Sequence, residues 1–244
     1  MYFRNIFKLE LNTLNNKINR GFVAAGDESD YCAFKTGELL DLLKSPKAQE
    51  RTIAARCLGK RNENHIVEKL LFALDNEKKL YPKIEICNSL ARFGNDSVTG
   101  LVQRLGKIGK NQYKTVPIAP FVKNSFPLPR DIAARTLIRI GKVALPSLLE
   151  VLNREDISKI SEAVDSLGFI CFKNPLPEYL GQLLNCYRKH FNSDLIRWKI
   201  YRAMSAFPQS RPFLEGQLHN EMQSAIIQEI RRSLKIMDKY GKII

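Results

Sequence analysis

Histidine and cysteine are the side chains of this chain best suited to metal binding or nucleophilic chemistry, and their spacing supports neither. His65, His190 and His219 stand far apart, with no H-E-x-x-H and no C-x-x-C pair to complete a zinc site. Cys32, Cys57, Cys87, Cys171 and Cys186 form no close pair, and an odd count without a framework argues against structural disulfides. Cys57 in the small-residue column, and Cys87 and Cys171 on the landmark face of their helices, read most simply as small buried hydrophobes in a reducing, cytoplasmic setting. The nearest approach to a phosphate loop is GLVQRLGKI, Gly100 to Ile108. It has the wrong glycine spacing and no Ser or Thr after Lys107. No G-x-S-x-G elbow presents a hydrolase nucleophile. The sequence therefore assigns no catalytic residue, no metal ligand and no cofactor.

Positive charge is the stronger signal. The chain has 39 Lys and Arg against 25 Asp and Glu, a net charge of +14. That excess points to an acidic partner: nucleic acid, an acidic protein or an anionic membrane surface. Residues 107–130, KIGKNQYKTVPIAPFVKNSFPLPR, concentrate it. No Asp or Glu occurs from Ser97 to Arg130, whereas Lys107, Lys110, Lys114, Lys123 and Arg130 do, with Tyr113, Phe121 and Phe126 between them. Pro117, Pro120, Pro127 and Pro129 exclude a helix and favour extended chain. A loop longer than about 12–15 residues inside a folded domain is usually functional or disordered. Basic groups beside aromatics can track a phosphate backbone and stack on bases, or dock on an acidic protein groove. Alternatively, Val116, Ile118, Phe121 and Val122 pack down over the neighbouring structure. The two readings are compatible.

The elements that must position this insertion follow a repeat. With Leu137 as landmark, counterparts stand at Leu58, Leu90, Leu167, Met204 and Leu234, at intervals of 32, 47, 30, 37 and 30 residues. Four residues earlier come Ala54, Ile86, Ala133, Ala163, Ile200 and Ile230, all apolar and on the same helix face. One residue earlier come Cys57, Ser89, Thr136, Ser166, Ala203 and Ser233, small enough to let helices approach. A second helix follows each landmark, as Pro146-Leu148-Leu152, Pro212-Leu214-Leu218 and, more loosely, Pro177-Tyr179-Leu183. Proline suits the first turn, where its missing N–H has no partner to lose. Earlier copies keep only the apolar spacing, in Leu70, Leu71, Leu74 and Leu101, Val102, Leu105. A helix pair of this kind buries its apolar face only by stacking on neighbours.

On the strings AARCLG, AARTLIRIG and EAVDSLGFI, each followed by a leucine-rich helix, residues 37–237 resemble HEAT repeats. They are most similar to the short type called phycobilisome-lyase HEAT-like repeats. The resemblance implies an all-α fold, an α-α superhelix or solenoid of about six to seven stacked antiparallel helix pairs. Residues 1–45 would form an N-terminal cap and a degenerate first repeat, 107–130 an insertion, and 223–244 a C-terminal cap. Such repeats serve scaffolds, adaptors, chromophore lyases and some DNA-repair enzymes, so they do not fix function. HEAT-like alkylpurine DNA glycosylases rely on tryptophans and a carboxylate in a cleft. Trp198 with Asp194 or Asp165 would be a thin version of that set, and no catalytic residue is carried over. Nothing marks a bilin pocket.

Composition agrees with one folded domain of 244 residues, 44% of them hydrophobic. No apolar run approaches the roughly 18 residues that a membrane helix needs. The N-terminal rhythm MYFRNIFKLELNTLNNKI is broken by Arg4, Lys8 and Glu10, unlike a secretory signal, and reads as a capping helix. Residues 21–36 read as a loop with a solvated acidic DESD cluster. Two residues before the landmarks come Arg56, Asn88, Arg135, Asp165, Arg202 and Arg232, and two after come Lys60, Arg92, Arg139, Phe169, Ala206 and Ile236, so that Arg56 with Lys60, and Arg135 with Arg139, share a basic face away from the core. That column is either ordinary solubilising charge or a positive ladder. Single-sign bias favours the ladder, but in HEAT repeats the first helix usually lines the convex side, away from common ligand surfaces. Trp198 reads as a packing residue. Together these features predict a scaffold that presents a basic surface and the insertion to an acidic protein, with nucleic acid as the alternative.

Overall fold

Three helices start where the sequence supplies a capping side chain. Asp131, Asp156 and Ser193 each accept a hydrogen bond from a backbone N–H in the turn that follows, which satisfies a donor the helix cannot. Pro146 and Pro212 sit in the first turns of two others. The computed structural model describes residues 15–119, 121–123 and 125–240, and among them the chain is helical with no strand. The N-terminal capping helix expected over residues 1–18 falls mostly outside the described residues, of which 15–19 are helical.

The chain divides into two compact units, Met1–Gly100 and Leu101–Ile244. The first holds α1 (Thr36–Leu42), α2 (Ala48–Leu58), α3 (His65–Asn76) and α4 (Leu80–Arg92), and α5 (Asn95–Gln103) begins there. α2 lies side by side with α4, α1 packs on α2, and α3 packs on α4. The second holds α6 (Ile132–Ile140), α7 (Leu145–Leu152), α8 (Ile157–Lys173), α9 (Leu180–Lys189), α10 (Asp194–Met204), α11 (Arg211–Asn220) and α12 (Ser224–Tyr240). In it α6, α8, α10 and α12 form a row of adjacent helices. α7 is laid against α8, α9 against α10 and α11 against α12.

The apolar and small columns of the repeat explain this packing. Every residue of both columns, and every landmark except the half-buried Leu234, is buried. Each large aliphatic so removed from water is worth about 1.5–3 kcal/mol. Leu234 lies on α12, which no further helix of the row covers among the described residues. The residue after a landmark sets how close neighbours come. A Cβ on Gly59 would fall 2.5 Å from the Cβ of Ser89, and one on Gly168 would fall 2.8 Å from that of Ala203. In both cases a glycine on one helix abuts the small-column residue of the next.

Candidate functional site

The 107–130 insertion is a strap tied down at its base and anchored by its aromatic rings. Asp131, fully buried, caps α6 through the N–H of Ala134 (2.8 Å) and also accepts from the Gly106 N–H (3.1 Å) and the Gln112 amide (2.8 Å). One carboxylate thus pins both ends of the loop; burial pushes its pKa up, against these three donors. Further along, Tyr113 meets Trp198 edge to face at 5.1 Å and carries the Arg130 guanidinium 4.0 Å above its ring. Phe126 is buried between Phe169 and Phe172 of α8. Phe121 faces the guanidinium groups of Arg202 and Arg232. Arg232 also donates to the carbonyls of Lys123 and Ser125, and Arg135 to that of Pro129.

The expectation that Val116, Ile118, Phe121 and Val122 hold the strap down needs correction. Ile118 is 99% exposed and Val122 82% exposed, and Val116 is half-buried; of the four, only Phe121 has an anchoring role. The anchors are rings, which bury more area than an aliphatic side chain and offer a π face to buried arginines.

Beneath Phe121 lies a buried network of six charges. Lys199 Nζ sits 2.7 Å from Glu162 and 2.9 Å from Asp165, fully enclosed. Arg202 reaches Glu229 at 3.2 Å and Asp165 at 3.7 Å, stacked 3.9 Å over Trp198. Arg232 pairs with the same Glu229. Three carboxylates face three cations, the balance that burial of charge demands. Satisfaction is incomplete: Glu162 Oε2 and Arg202 Nη2 are buried and make no hydrogen bond. Burial raises the Glu162 pKa to about 7; Lys199 lowers it, and repulsion from Asp165 adds to the rise.

This network follows a register that the basic columns alone do not show. In three of the five steps between landmarks, the residue two before one landmark pairs with the residue five before the next. The pairs are Arg56–Glu85, Asp165–Lys199 and Arg202–Glu229. Positions three apart share a helix face, so reading the two columns together, with their opposite signs, would have exposed the pairing. The register breaks between α6 and α8, where Arg135 turns to the Pro129 carbonyl and Glu162 relies on Lys199.

Two rungs of the expected positive ladder, Arg56 and Lys60, are therefore engaged and do not form a free surface. Arg56 binds Glu28 at 2.9 Å and Glu85 at 3.4 Å, and Lys60 binds Glu28 at 3.1 Å. Glu28 belongs to the acidic cluster read as solvated loop. Its hydrogen bond from Arg56 is the largest cause that holds its pKa down at about 2, with Lys60 adding to it. Arg92, Arg135 and Arg139 have exposed side chains. Of the strap residues, Lys107, Lys110, Lys114 and Lys123 are exposed, and none forms a side-chain ion pair among the described residues. Arg130 is exposed too, but its guanidinium lies on Tyr113.

Trp198 is 2% exposed and Asp165 is enclosed in the ion network, so these two do not line an open cleft. Asp194 binds Arg197 at 2.9 Å. All five cysteines are free, and among the described residues no cluster of His, Cys, Asp and Glu is placed to hold a metal ion. No described helix is long and apolar enough to cross a membrane.

No protein-family model matches the chain, and no curated protein does. Two crystal structures of engineered proteins are similar to it at 15% identity and TM-scores of 0.36. One match covers 84% of this chain and 96% of the other; the second covers 89% and 62%. Likeness that remote carries no argument about function.

Proposed function

We propose that the chain is a non-enzymatic interaction module, a HEAT-type α-solenoid of about six to seven helix pairs whose 107–130 strap docks on an acidic protein. The side-by-side packing of first helices and the burial of the repeat columns support the solenoid. One observation carries the partner assignment. The strap turns its rings inward and leaves Lys107, Lys110, Lys114 and Lys123 outside with Ile118, Val122 and Leu128. Bases would need those rings free for stacking. Exposed aliphatics beside unpaired ammonium groups instead suit a protein surface that offers carboxylates around an apolar patch.

The test sets partner recovery by tagged protein against nucleic-acid titration. Lys107, Lys110, Lys114 and Lys123 changed together to alanine should lose a partner that the unaltered chain recovers, with its thermal midpoint unchanged. Duplex DNA, single-stranded DNA and RNA should show no saturable binding at physiological salt. Micromolar binding whose logarithm falls by roughly 0.9 per contacted phosphate with the logarithm of salt would replace the protein partner with nucleic acid. Unaltered recovery by the quadruple variant would remove the strap from the site.

A further inference from the structure

We propose a second docking site in the first unit: the groove between α1 and α3, which takes one amphipathic helix with acidic flanks from a partner protein. α1 packs on α2 and α3 packs on α4, but α1 and α3 do not pack closely on each other. The gap between them has a volume of about 1010 Å³ and is walled largely by apolar atoms, among them Leu40, Leu43, Phe72 and Ala73. Helix spacing accounts for the lining. Leu39 points into the unit, which leaves Leu40, Leu43 and Lys44 along the groove; on α3, Ile66, Leu70 and Leu74 are buried and Lys69, Phe72, Ala73 and Asn76 share the other face. Phe72 is 69% exposed, a large ring with no burial of its own to justify it.

Charge selects the occupant. Lys69, Lys78 and Lys79 line the groove, exposed and without ion pairs among the described residues. The acids beside them are mostly engaged. Glu77 binds Arg51 at 2.8 Å and accepts from the N–H groups of Lys78 and Lys79, while Asp41 binds Lys44 at 3.4 Å. Glu68 is the one lining carboxylate without a partner among the described residues. The rim is therefore positive around an apolar floor. Helical walls expose no row of unpaired backbone groups, so an added strand has nothing to bond, whereas a helix with apolar residues at i, i+3 or i+4 and i+7 fits such a groove. α3, at 12 residues, is about 18 Å long, room for some three turns of a docked helix. A second copy is disfavoured, because a chain of net charge +14 repels itself.

The probe is a fluorescein-labelled helical peptide of sixteen or so residues, with leucines at that spacing and glutamates on both flanks, followed by anisotropy. Its counterpart has lysine for every glutamate. The acidic peptide should bind saturably at micromolar concentration and the basic one should not. Phe72→Ala should weaken binding about tenfold or more, as removal of a central aromatic anchor does, with no change in melting because the ring is mostly solvated. K69E/K78E/K79E should exchange the preference between the two peptides. The strap quadruple variant should bind as well as the unaltered chain, which keeps this site distinct from the one on the strap. The proposal is overturned if the acidic peptide does not saturate, if both peptides bind alike, or if Phe72→Ala has no effect. Displacement of the peptide by duplex DNA, or a dimer in sedimentation that Phe72→Ala dissolves, would overturn it too by naming a different occupant.

Discussion

Arg56 in the first unit and Arg202 and Arg232 in the second all stand two residues before a repeat landmark, in contrasting surroundings. In the first unit Arg56 is held at the edge by Glu28, a carboxylate lent by a loop, with Glu85 as its second partner. In the second unit Arg202 and Arg232 are enclosed, matched by Glu229 and Asp165 from the helices and roofed by Phe121 of the strap. The same repeat position thus makes a peripheral clasp in one place and a buried network in the other. The difference lies in what covers it. Arg56 keeps 15% of its side-chain surface in water and Arg202 3%, and the less water is left to a charge, the more it depends on its partner.

The largest expected effect tests that dependence. Lys199→Met leaves Glu162 and Asp165 enclosed without their shared cation and should cost about 3–5 kcal/mol. Trp198 is the sole tryptophan and is buried in the second unit, so its fluorescence during urea unfolding reads that unit. Arg56→Met should cost less, about 1–3 kcal/mol, read by hydrogen exchange in residues 15–100 with the tryptophan transition unmoved. Equal losses would show that the two environments do not differ as described.

Anchoring of the strap comes next. Phe126→Ala removes a buried ring between Phe169 and Phe172 and should cost about 3 kcal/mol. It should also open the peptide bonds after Lys114 and Lys123 to trypsin. Unchanged cleavage would mean that Asp131 and Tyr113 hold the strap without it.

Much of this was readable in the residues and some was not. Periodicity disclosed the helices, because burial repeats every three to four positions and Leu58, Leu90, Leu137, Leu167 and Met204 mark it without ambiguity. Prolines disclosed the strap. What holds the strap was not readable from its own residues. The partners of Tyr113, Phe121 and Phe126 come from Trp198, Arg202, Arg232 and Phe169, far along the chain, and no local spacing records such contacts. The ladder misled for a similar reason. A column of arginines looks the same whether water or a carboxylate thirty residues away receives it. The signal lay in a second column, Glu85, Lys199 and Glu229, whose signs complement the first.

Proton linkage sharpens the contrast further, since the two units should respond to pH in opposite senses. Glu162 titrates at about 7 in the folded chain, up from an ordinary 4.5. Between those values the folded chain keeps a proton that the unfolded one releases, so stability of the second unit should fall as pH rises from 4.5 to 7. Its share of the slope is at most about 1.4 kcal/mol per pH unit. Glu28 titrates at about 2, below the same 4.5. Its contribution is complete above pH 4.5 and should fade as pH drops toward 2. Glu162→Gln should lessen the first dependence, to which the buried Asp131 also contributes, and Glu28→Gln the second, to which Glu50 and Glu77 also contribute, each without altering the other.

The smallest effect on stability is the most informative about docking. Ile118 and Val122 stand almost entirely in water, so Ile118→Ser with Val122→Ser removes apolar area that folding never buried. Substitutions of that kind change stability by no more than about 0.5 kcal/mol. Were the two residues the clamps that hold the strap down, the double variant would instead resemble Phe126→Ala, with lower stability and faster tryptic cleavage. Unchanged stability together with loss of the partner would show that the strap divides its labour: rings inward to hold, aliphatics and lysines outward to bind. Unchanged stability and unchanged partner recovery would leave the lysines alone to account for docking, and the apolar half of the surface would have to be abandoned.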